Sequence, residues 1–474
     1  MRTESPIPKE LWDQIPPTVQ AALLVVFQQY EQRIAALEQR VAELEQQLGQ
    51  NSSNSSKPPS SDLPRVKRRP PRERWGRSRG GQRGHEAHPT PLLPADDVQT
   101  RKPTECRRCG HVLRGEDPQP LRHQFLELPP IKPHVLEYQL HRLRCSRCGA
   151  STCAQPPAEH HGRYGPRLRG VVALLAGAYR LSKRQIQALC ADLLGVPIAA
   201  GTVCKLERQT TAATESVVTA LRAHVRAQPL NMDETGWRQH GRRGWLWTAV
   251  GRSATVFHTC LSRGADVARL LVGGGSYRQV VTSDRYSSYN WLPLRQRQIC
   301  WAHLRRDFQA MIDRGNAGSA IGRELLLFAE DVFHFWHRVR HRTLRRSSLQ
   351  TTINQQRPWF RDRLAEGCAC ACTKTAAVCR DLLRLETALW TFMRVPGVEP
   401  TNNAAERAVR HAVLWRKTSQ GTDSVAGSHY VANILTILAT CRQQGRNVLD
   451  FLTACCDAYL HGLPPPSLLT HAVS

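Results

Sequence analysis

The sequence predicts an α+β protein of several domains: a mixed-sheet core split by an all-α insertion, preceded by a coiled coil, a metal-binding ribbon and a helical domain. Three observations carry this expectation. Apolar residues recur at heptad spacing near the N-terminus. Two CxxC pairs follow. From residue 229 the pattern turns to short apolar runs of strand length, then becomes helical again. The 474 residues are enough for roughly two to four domains with a sizeable core.

Charge narrows the class. The chain carries 66 Lys+Arg against 39 Asp+Glu, a net charge of +27 and a pI near 10.1. Such an excess points to a polyanionic partner, nucleic acid first. The 11 Trp and the ordered apolar pattern argue against a simple histone-like or ribosomal protein. The N-terminus shows no charged segment leading into an apolar run, so no secretion signal is expected. No apolar run approaches the roughly 18 residues of a membrane span. The 16 cysteines include two CxxC pairs and isolated Cys in helical patterns, which suits metal binding in a reducing compartment. The expected location is the bacterial cytoplasm, on the nucleoid.

Residues 18–50 are expected to form a coiled coil. Leu23, Phe27, Tyr30, Ile34, Leu37, Val41, Leu44 and Leu48 alternate steps of four and three, with Glu, Gln and Arg between them. That stripe is narrower than a globular helix face usually requires, so it predicts self-association into a homo-oligomer. Residues 51–100 read as a basic linker or arm. A polar Asn-Ser-Ser stretch leads to nine Lys/Arg between Arg65 and Arg83, with Trp75 among them and Gly80-Gly-Gln-Arg-Gly-His85 at the end. Such a segment cannot bury a core and is expected to order only against phosphates.

Residues 101–160 predict a zinc ribbon. Cys106-Arg-Arg-Cys109-Gly and Cys145-Ser-Arg-Cys148-Gly are each CxxC followed by Gly, so two tight turns would supply four thiolates to one tetrahedral Zn²⁺. Strands are expected at 125–128 and 135–143 between them. A closed four-Cys site has no open position, so its role is structural. Residues 161–226 are helical. A helix over 182–194, a break at Gly195-Val-Pro197 and a restart over 199–208 resemble a helix-turn-helix, with Lys205 and Arg208 on the second helix as candidate DNA contacts.

The core follows in two parts, 227–309 and 396–462, around a helical insertion at 310–395. Strands are expected at 230–236, ending in Asp233-Glu234, at 245–250 and 255–261 as a hairpin, at 277–282 ending at Asp284, and at 299–301. A helix at 265–272 lies between the third and fourth strands, and a basic helix opens at His303-Leu-Arg305-Arg306. This is the order of a ribonuclease H-like core. Thr401-Asn-Asn-Ala-Ala-Glu406 opens a further basic helix carrying Arg407, Arg410, Arg416 and Lys417, and helices at 425–443 and 448–460 close the chain.

Asp233, Asp284 and Glu406 are the candidate catalytic and metal-holding residues. Phosphodiester cleavage needs an activated nucleophile and a stabilised leaving oxyanion, which two divalent ions supply together. Hard Mg²⁺, or Mn²⁺, prefers carboxylate oxygen. Acids gathered in a basic protein would repel unless a cation held them. Each acid also has a plain structural role open to it: Asn403 through Glu406 spells a capping box, Asp284 suits a turn, and Asp233 could be a surface acid with Glu234 the working partner. Arg305, Arg306, Arg407, Arg410 and Lys417 join Lys205 and Arg208 as candidate DNA contacts. Cys368, Cys370 and Cys372, on alternate residues of a helical pattern, are not expected to converge on a metal.

These motifs resemble the insertion sequence 66 family of DDE transposases. Asn231-Met-Asp-Glu-Thr-Gly-Trp-Arg238, Ser283-Asp-Arg-Tyr286 and Thr401 through Arg407 resemble the segments that carry its three catalytic acids, and Cys300-Trp-Ala-His-Leu-Arg-Arg-Asp-Phe308 matches a segment typical of it. The coiled coil, Asn51 through Pro59, Gly80 through His85 and the double CxxC follow its N-terminal order. Arg285 stands where that family usually carries Gly, and Thr401 where an acid is common. The resemblance implies a magnesium-dependent enzyme that cleaves element ends and joins them to target DNA. Asp233, Asp284 and Glu406 would be catalytic, and Cys106, Cys109, Cys145 and Cys148 would bind zinc. Its partners would be terminal inverted repeats, target DNA and accessory proteins of the element. The alternative is a zinc-ribbon and helix-turn-helix DNA-binding regulator with an inactive core.

Overall fold

The computed structural model describes residues 8–50, 55 and 91–469. Most of the linker and the basic arm expected at 51–100 lies outside the described residues. The chain divides into two compact units: Arg69–Gln155 with Lys183–Val203, and Met1–Arg68, Pro156–Ser182 and Cys204–Ser474. No described helix is long and apolar enough to cross a membrane.

A short α1 (Lys9–Trp12) precedes α2 (Pro17–Gly49), a 33-residue helix with Pro17 at its first position, where a missing N–H costs nothing. In the smaller unit, β1 (Arg142–Arg144) pairs antiparallel with β2 (Ser151–Cys153) around the second CxxC turn, and a Glu105–Val112 bridge closes the first. The strands expected at 125–128 and 135–143 are not formed, apart from Arg142 and Leu143. Phe125, Leu128 and Val135 stay exposed. Alternation marks a strand only where a second layer buries one face, and no layer among the described residues buries these. α3 (Pro166–Gly177), α4 (Lys183–Asp192) and α5 (Ala200–Val225) follow. α5 runs on for 26 residues, well beyond the short second helix expected.

The larger unit holds a five-stranded mixed sheet. In chain order its strands are β3 (Leu230–Gln239), β4 (Arg242–Val250), β5 (Thr255–Cys260), β6 (Val281–Ser283) and β7 (Arg297–Ile299); in space they run β5-β4-β3-β6-β7. The β3–β4 and β4–β5 pairs are antiparallel, and β3–β6 and β6–β7 are parallel. β3 does not stop at its acids. It continues to Gln239 and turns through His240 and Gly241, both at positive φ (50° and 70°), the two-residue turn whose twist suits a hairpin. α6 (Ala265–Val272) lies between β5 and β6. β6 is shorter than the strand expected at 277–282, and β7 lies ahead of the one expected at 299–301 because Trp301 already begins α7 (Trp301–Asp313).

Both sheet edges are sealed, which removes the exposed ladder an edge strand would offer. Along β5, Thr436 Oγ1 accepts from Phe257 N (2.9 Å), and Thr440 Oγ1 accepts from Thr255 N (3.1 Å) and donates to Thr255 O (3.1 Å). These threonines sit one turn apart on α14 (Val425–Gln443). Along β7, Gln298 donates to Leu389 O (3.1 Å) and accepts from Phe392 N (2.6 Å), while Thr391 Oγ1 donates to Arg297 O (2.7 Å). Those partners lie in two short helices, α11 (Glu386–Leu389) and α12 (Thr391–Arg394), at the end of the helical insertion.

The insertion itself adds α8 (Ser319–Arg340), α9 (Arg346–Cys368) and α10 (Thr373–Arg384) to α7. It has its own aromatic core. Trp301, Phe328, Phe360 and Trp390 pack with centroid separations from 4.7 Å for Phe328–Phe360 to 6.1 Å for Phe328–Trp390. The chain then returns to the sheet as α13 (Asn403–Ser419) and ends with α14 and α15 (Val448–Leu460).

Candidate active site

Strand register brings two of the acids together. Leu230 and Asn231 of β3 pair with Val281 and Thr282 of β6. Carrying that register forward two residues sets Asp233 level with Asp284, the first residue past β6. Leu230 and Met232 are buried on one face of the pleat, so Asp233 faces the other way. Glu406 is delivered from far along the chain by buried ties at the start of α13. Asn402 Nδ2 donates to Met232 O (2.7 Å), next to Asp233, and Asn402 N donates to Cys300 Sγ (3.1 Å). Trp301 N donates to Pro400 O (2.9 Å), and Cys300 N to Ser283 O (2.9 Å). One short segment therefore links the ends of β3, β6, β7 and α13. Glu406 lies in the first turn of α13, where the helix dipole favours a carboxylate. The N-cap is Asn402, and its side chain makes no cap bond, so the capping box expected from Asn403 does not form.

The neighbouring acids act on Asp233, although the carboxylate oxygens of Asp233, Asp284 and Glu406 do not all lie within 4.8 Å of one another. Burial pushes the Asp233 carboxyl well above the usual range, and the negative charges of Glu234, Asp284 and Glu406 push it further. Glu234 is also raised, first by burial and then by Asp284. Glu234 is nevertheless satisfied: Arg263 Nη2 lies 2.7 Å away, Tyr289 Oη donates at 3.0 Å, and its side chain is 1% exposed. Arg263 is in turn held over the Trp245 and Tyr286 rings (4.6 and 3.6 Å). Glu234 is thus tied into the wall by Arg263 and Tyr289.

The loop carrying Asp284 is fixed from several sides. Asp284 Oδ1 accepts from Tyr286 N (2.9 Å), and the buried Arg297 donates to Asp284 O (2.9 Å) and Asn290 Oδ1 (2.8 Å). Arg285 pairs with Asp307 on α7 (2.9 Å) and Asp381 on α10 (2.7 Å), tying this loop to the insertion. Its guanidinium is engaged there and does not pair with the acids of the site. Glu406 Oε1 has His303 Nδ1 and Arg306 Nη2 each at 3.4 Å. Cys300, His303 and Glu406 are also the group of potential ligands whose atoms lie within 4.8 Å of one another among the described residues. Burial, then the Arg306 charge, lowers the proton affinity of His303. His303 Nδ1 and Asn402 Oδ1 are buried without a hydrogen-bond partner.

Residues 161–430 match the family model described as Transposase IS66 family. The chain belongs to that family. Asp233, Asp284 and Glu406 all fall inside the matched span. Residues 8–91 match a family of unknown function, DUF6444. Two uncharacterised proteins of Sinorhizobium fredii are similar. y4qI is 29% identical over 217 residues, 43% of this chain and 39% of y4qI, so the match spans about two fifths of that relative. y4hP is 23% identical over 400 residues, 73% of this chain and 70% of y4hP.

The four CxxC cysteines of this IS66 family member lie in two matching turns. Cys106 N donates to His111 O (2.8 Å) and Gly110 N to Cys106 O (2.9 Å); Cys145 and Gly149 repeat the pattern, and both glycines sit at φ 73°. Backbone N–H groups of Arg108 and Cys109 lower the Cys106 thiol, and those of Cys148 and Arg147 lower Cys145. Each turn is thus prepared for thiolate. The two pairs are not gathered within 4.8 Å of one another. Cys368 ends α9, and Cys370 and Cys372 lie beyond it, so these three do not share a helix as their spacing suggested.

Among the candidate DNA contacts, Lys205, Arg208, Arg407, Arg410 and Lys417 are exposed. Arg305 pairs with Glu330 (3.2 Å), and Arg306 faces Glu406. Arg416 serves the fold, donating to Thr235 Oγ1 (3.1 Å) and Gly236 O (2.5 Å). Sequence reasoning missed Asn402, Arg263, Tyr289 and Arg297. Their only signal was position beside a suspected acid or strand end. It also noted His303 merely as part of a helix start.

Proposed function

We propose that this chain is a DDE transposase with a ribonuclease H-like core, which cleaves DNA at the ends of its element and joins the freed 3′-hydroxyl to target DNA. The observation that supports this reading is the register that sets Asp233 level with Asp284 on adjacent strands, with Glu406 in the first turn of α13, which Asn402 ties to β3. The strand order, three antiparallel strands followed by two parallel ones, also supports it. Asp233 and Asp284 would hold Mg²⁺ (or Mn²⁺), with Glu406 completing the set. When bound, the ions activate the attacking oxygen and stabilise the departing one.

The chain's own residues do the rest. Asn402 and the Cys300 segment hold Glu406 against β3. Arg297 and Tyr286 N fix the Asp284 loop. Arg306 orients the Glu406 carboxylate with His303 beside it, and Arg263 and Tyr289 hold Glu234 in the wall. Lys205, Arg208, Arg407, Arg410 and Lys417, all exposed, would contact phosphates, which position DNA without reading it. The ribbon cysteines would close on structural Zn²⁺, α4 and the start of α5 would meet DNA, and α2 would pair copies of the chain.

The test is cleavage and strand transfer by the purified full chain on DNA carrying the element ends, with and without Mg²⁺. Asp284→Asn is expected to abolish both reactions while retaining DNA binding. Full activity in that variant would refute the assignment. Metal-independent binding with no nicking by the wild type would support a regulator with an inactive core instead.

A further inference from the structure

We infer that α2 pairs with α2 of a second copy of this chain as a parallel, in-register, two-stranded coiled coil. This deepens the reading of α2 as a self-association helix and is independent of the transposase chemistry. From Tyr30 onward the apolar stripe of α2 is exposed, while Leu23 and Phe27 are half-buried: Ile34 is 53% exposed, Leu37 58% and Leu48 81%, with Tyr30, Val41 and Leu44 also exposed. Stepping by four and three, Phe27, Ile34, Val41 and Leu48 take heptad position a, and Leu23, Tyr30, Leu37 and Leu44 take position d. The middle of the stripe, with β-branched Ile34 and Val41 at a and Leu37 and Leu44 at d, is the combination that favours two strands over three or four.

Orientation is written in the flanking charges. Arg33 and Arg40 occupy successive g positions, and Glu38 and Glu45 the e positions five residues on. In a parallel in-register pair, g of one helix faces the following e of the other. Arg33 then meets the partner's Glu38, and Arg40 the partner's Glu45, on both sides of the seam. An antiparallel pair would set g against g and e against e, placing Arg beside Arg and Glu beside Glu. The surface of α2 also carries a concavity lined by Ile34, Leu37, Glu38, Val41 and Glu45. Positions a, d, e and the next a form the receptacle into which a parallel partner's d side chain inserts. Four of these five residues fill those places in order, so the concavity suits Leu37 of a second copy.

Sedimentation of the full chain, without DNA, tests this. The wild type is expected at twice the 53.4 kDa of one chain. The double variants Arg33→Glu/Arg40→Glu and Glu38→Arg/Glu45→Arg are each expected to sediment as single chains at a concentration where the wild type is paired. Their equimolar mixture is expected to recover the paired mass, which also shows that neither variant is misfolded. A benzoyl-phenylalanine photocrosslinker at Leu48 should join the region around position 48 of the other copy. A wild type of one, three or four chains, reversals that leave the mass unchanged, or crosslinks to the opposite helix end near Leu23 would each overturn the proposal. None of these results depends on whether the protein cuts DNA.

Discussion

Asp233 carries the cost of the site. Its carboxyl is crowded by Glu234, Asp284 and Glu406 and stripped of water, so in the absence of a divalent ion the folded chain holds its proton more tightly than the unfolded chain does. The sign follows by linkage. As pH rises above about 4, where an unfolded Asp ionises, the folded state still binds the proton, so stability falls with pH until the raised folded pKa is passed. Denaturant midpoints in magnesium-free buffer should therefore decline over this window in the wild type. In Asp233→Asn they should decline less, and that variant should be the more stable of the two above the window. A steeper decline in the variant would contradict the crowding described here. His303 makes a second case. It touches Glu406 at 3.4 Å, so His303→Ala should weaken Mn²⁺ binding by about 10–100-fold, the usual effect of losing a group that orients a ligand. Calorimetric titration checks this, and an unchanged affinity would reduce His303 to packing.

At the scale of elements, the sheet depends on threonines that no strand or helix pattern announces. Thr440 both donates to and accepts from the backbone of Thr255, so Thr440→Val leaves a buried N–H and C=O unpaired and should cost about 1–3 kcal/mol in a denaturation measurement. The apolar runs near 230, 245, 255 and 281 were legible as strands because each has a buried face, and the heptads of α2 because their period is strict. The expected strands at 125–128 and 135–143 failed because alternation alone supplies no covering layer. The turn at His240-Gly241 went unseen because a His at positive φ has little signature, and β3 was ended too early as a result. Asn402 was passed over for Asn403 because a cap motif is local, whereas Asn402 is committed to Met232 O, 170 positions away. Of the site, the three acids could be read as suspects. The ties that gather them could not, since each joins residues distant in sequence.

Across the whole molecule, a chain with net charge +27 gathers acids around Asp233 and pairs only some of them with arginine. Arg263 takes Glu234, Arg285 takes Asp307 and Asp381, and Arg306 stands beside Glu406, while Asp233 is left raised and crowded. That division of labour is what one expects if the remaining charge is reserved for metal. The most direct test is diffraction from crystals of the full chain soaked in Mn²⁺, using the anomalous signal of the metal. The account predicts Mn²⁺ peaks at bonding distance from the carboxylates of Asp233 and Asp284, near Glu406, and their loss in Asp284→Asn. Manganese bound elsewhere, with these three carboxylates bare, would contradict it.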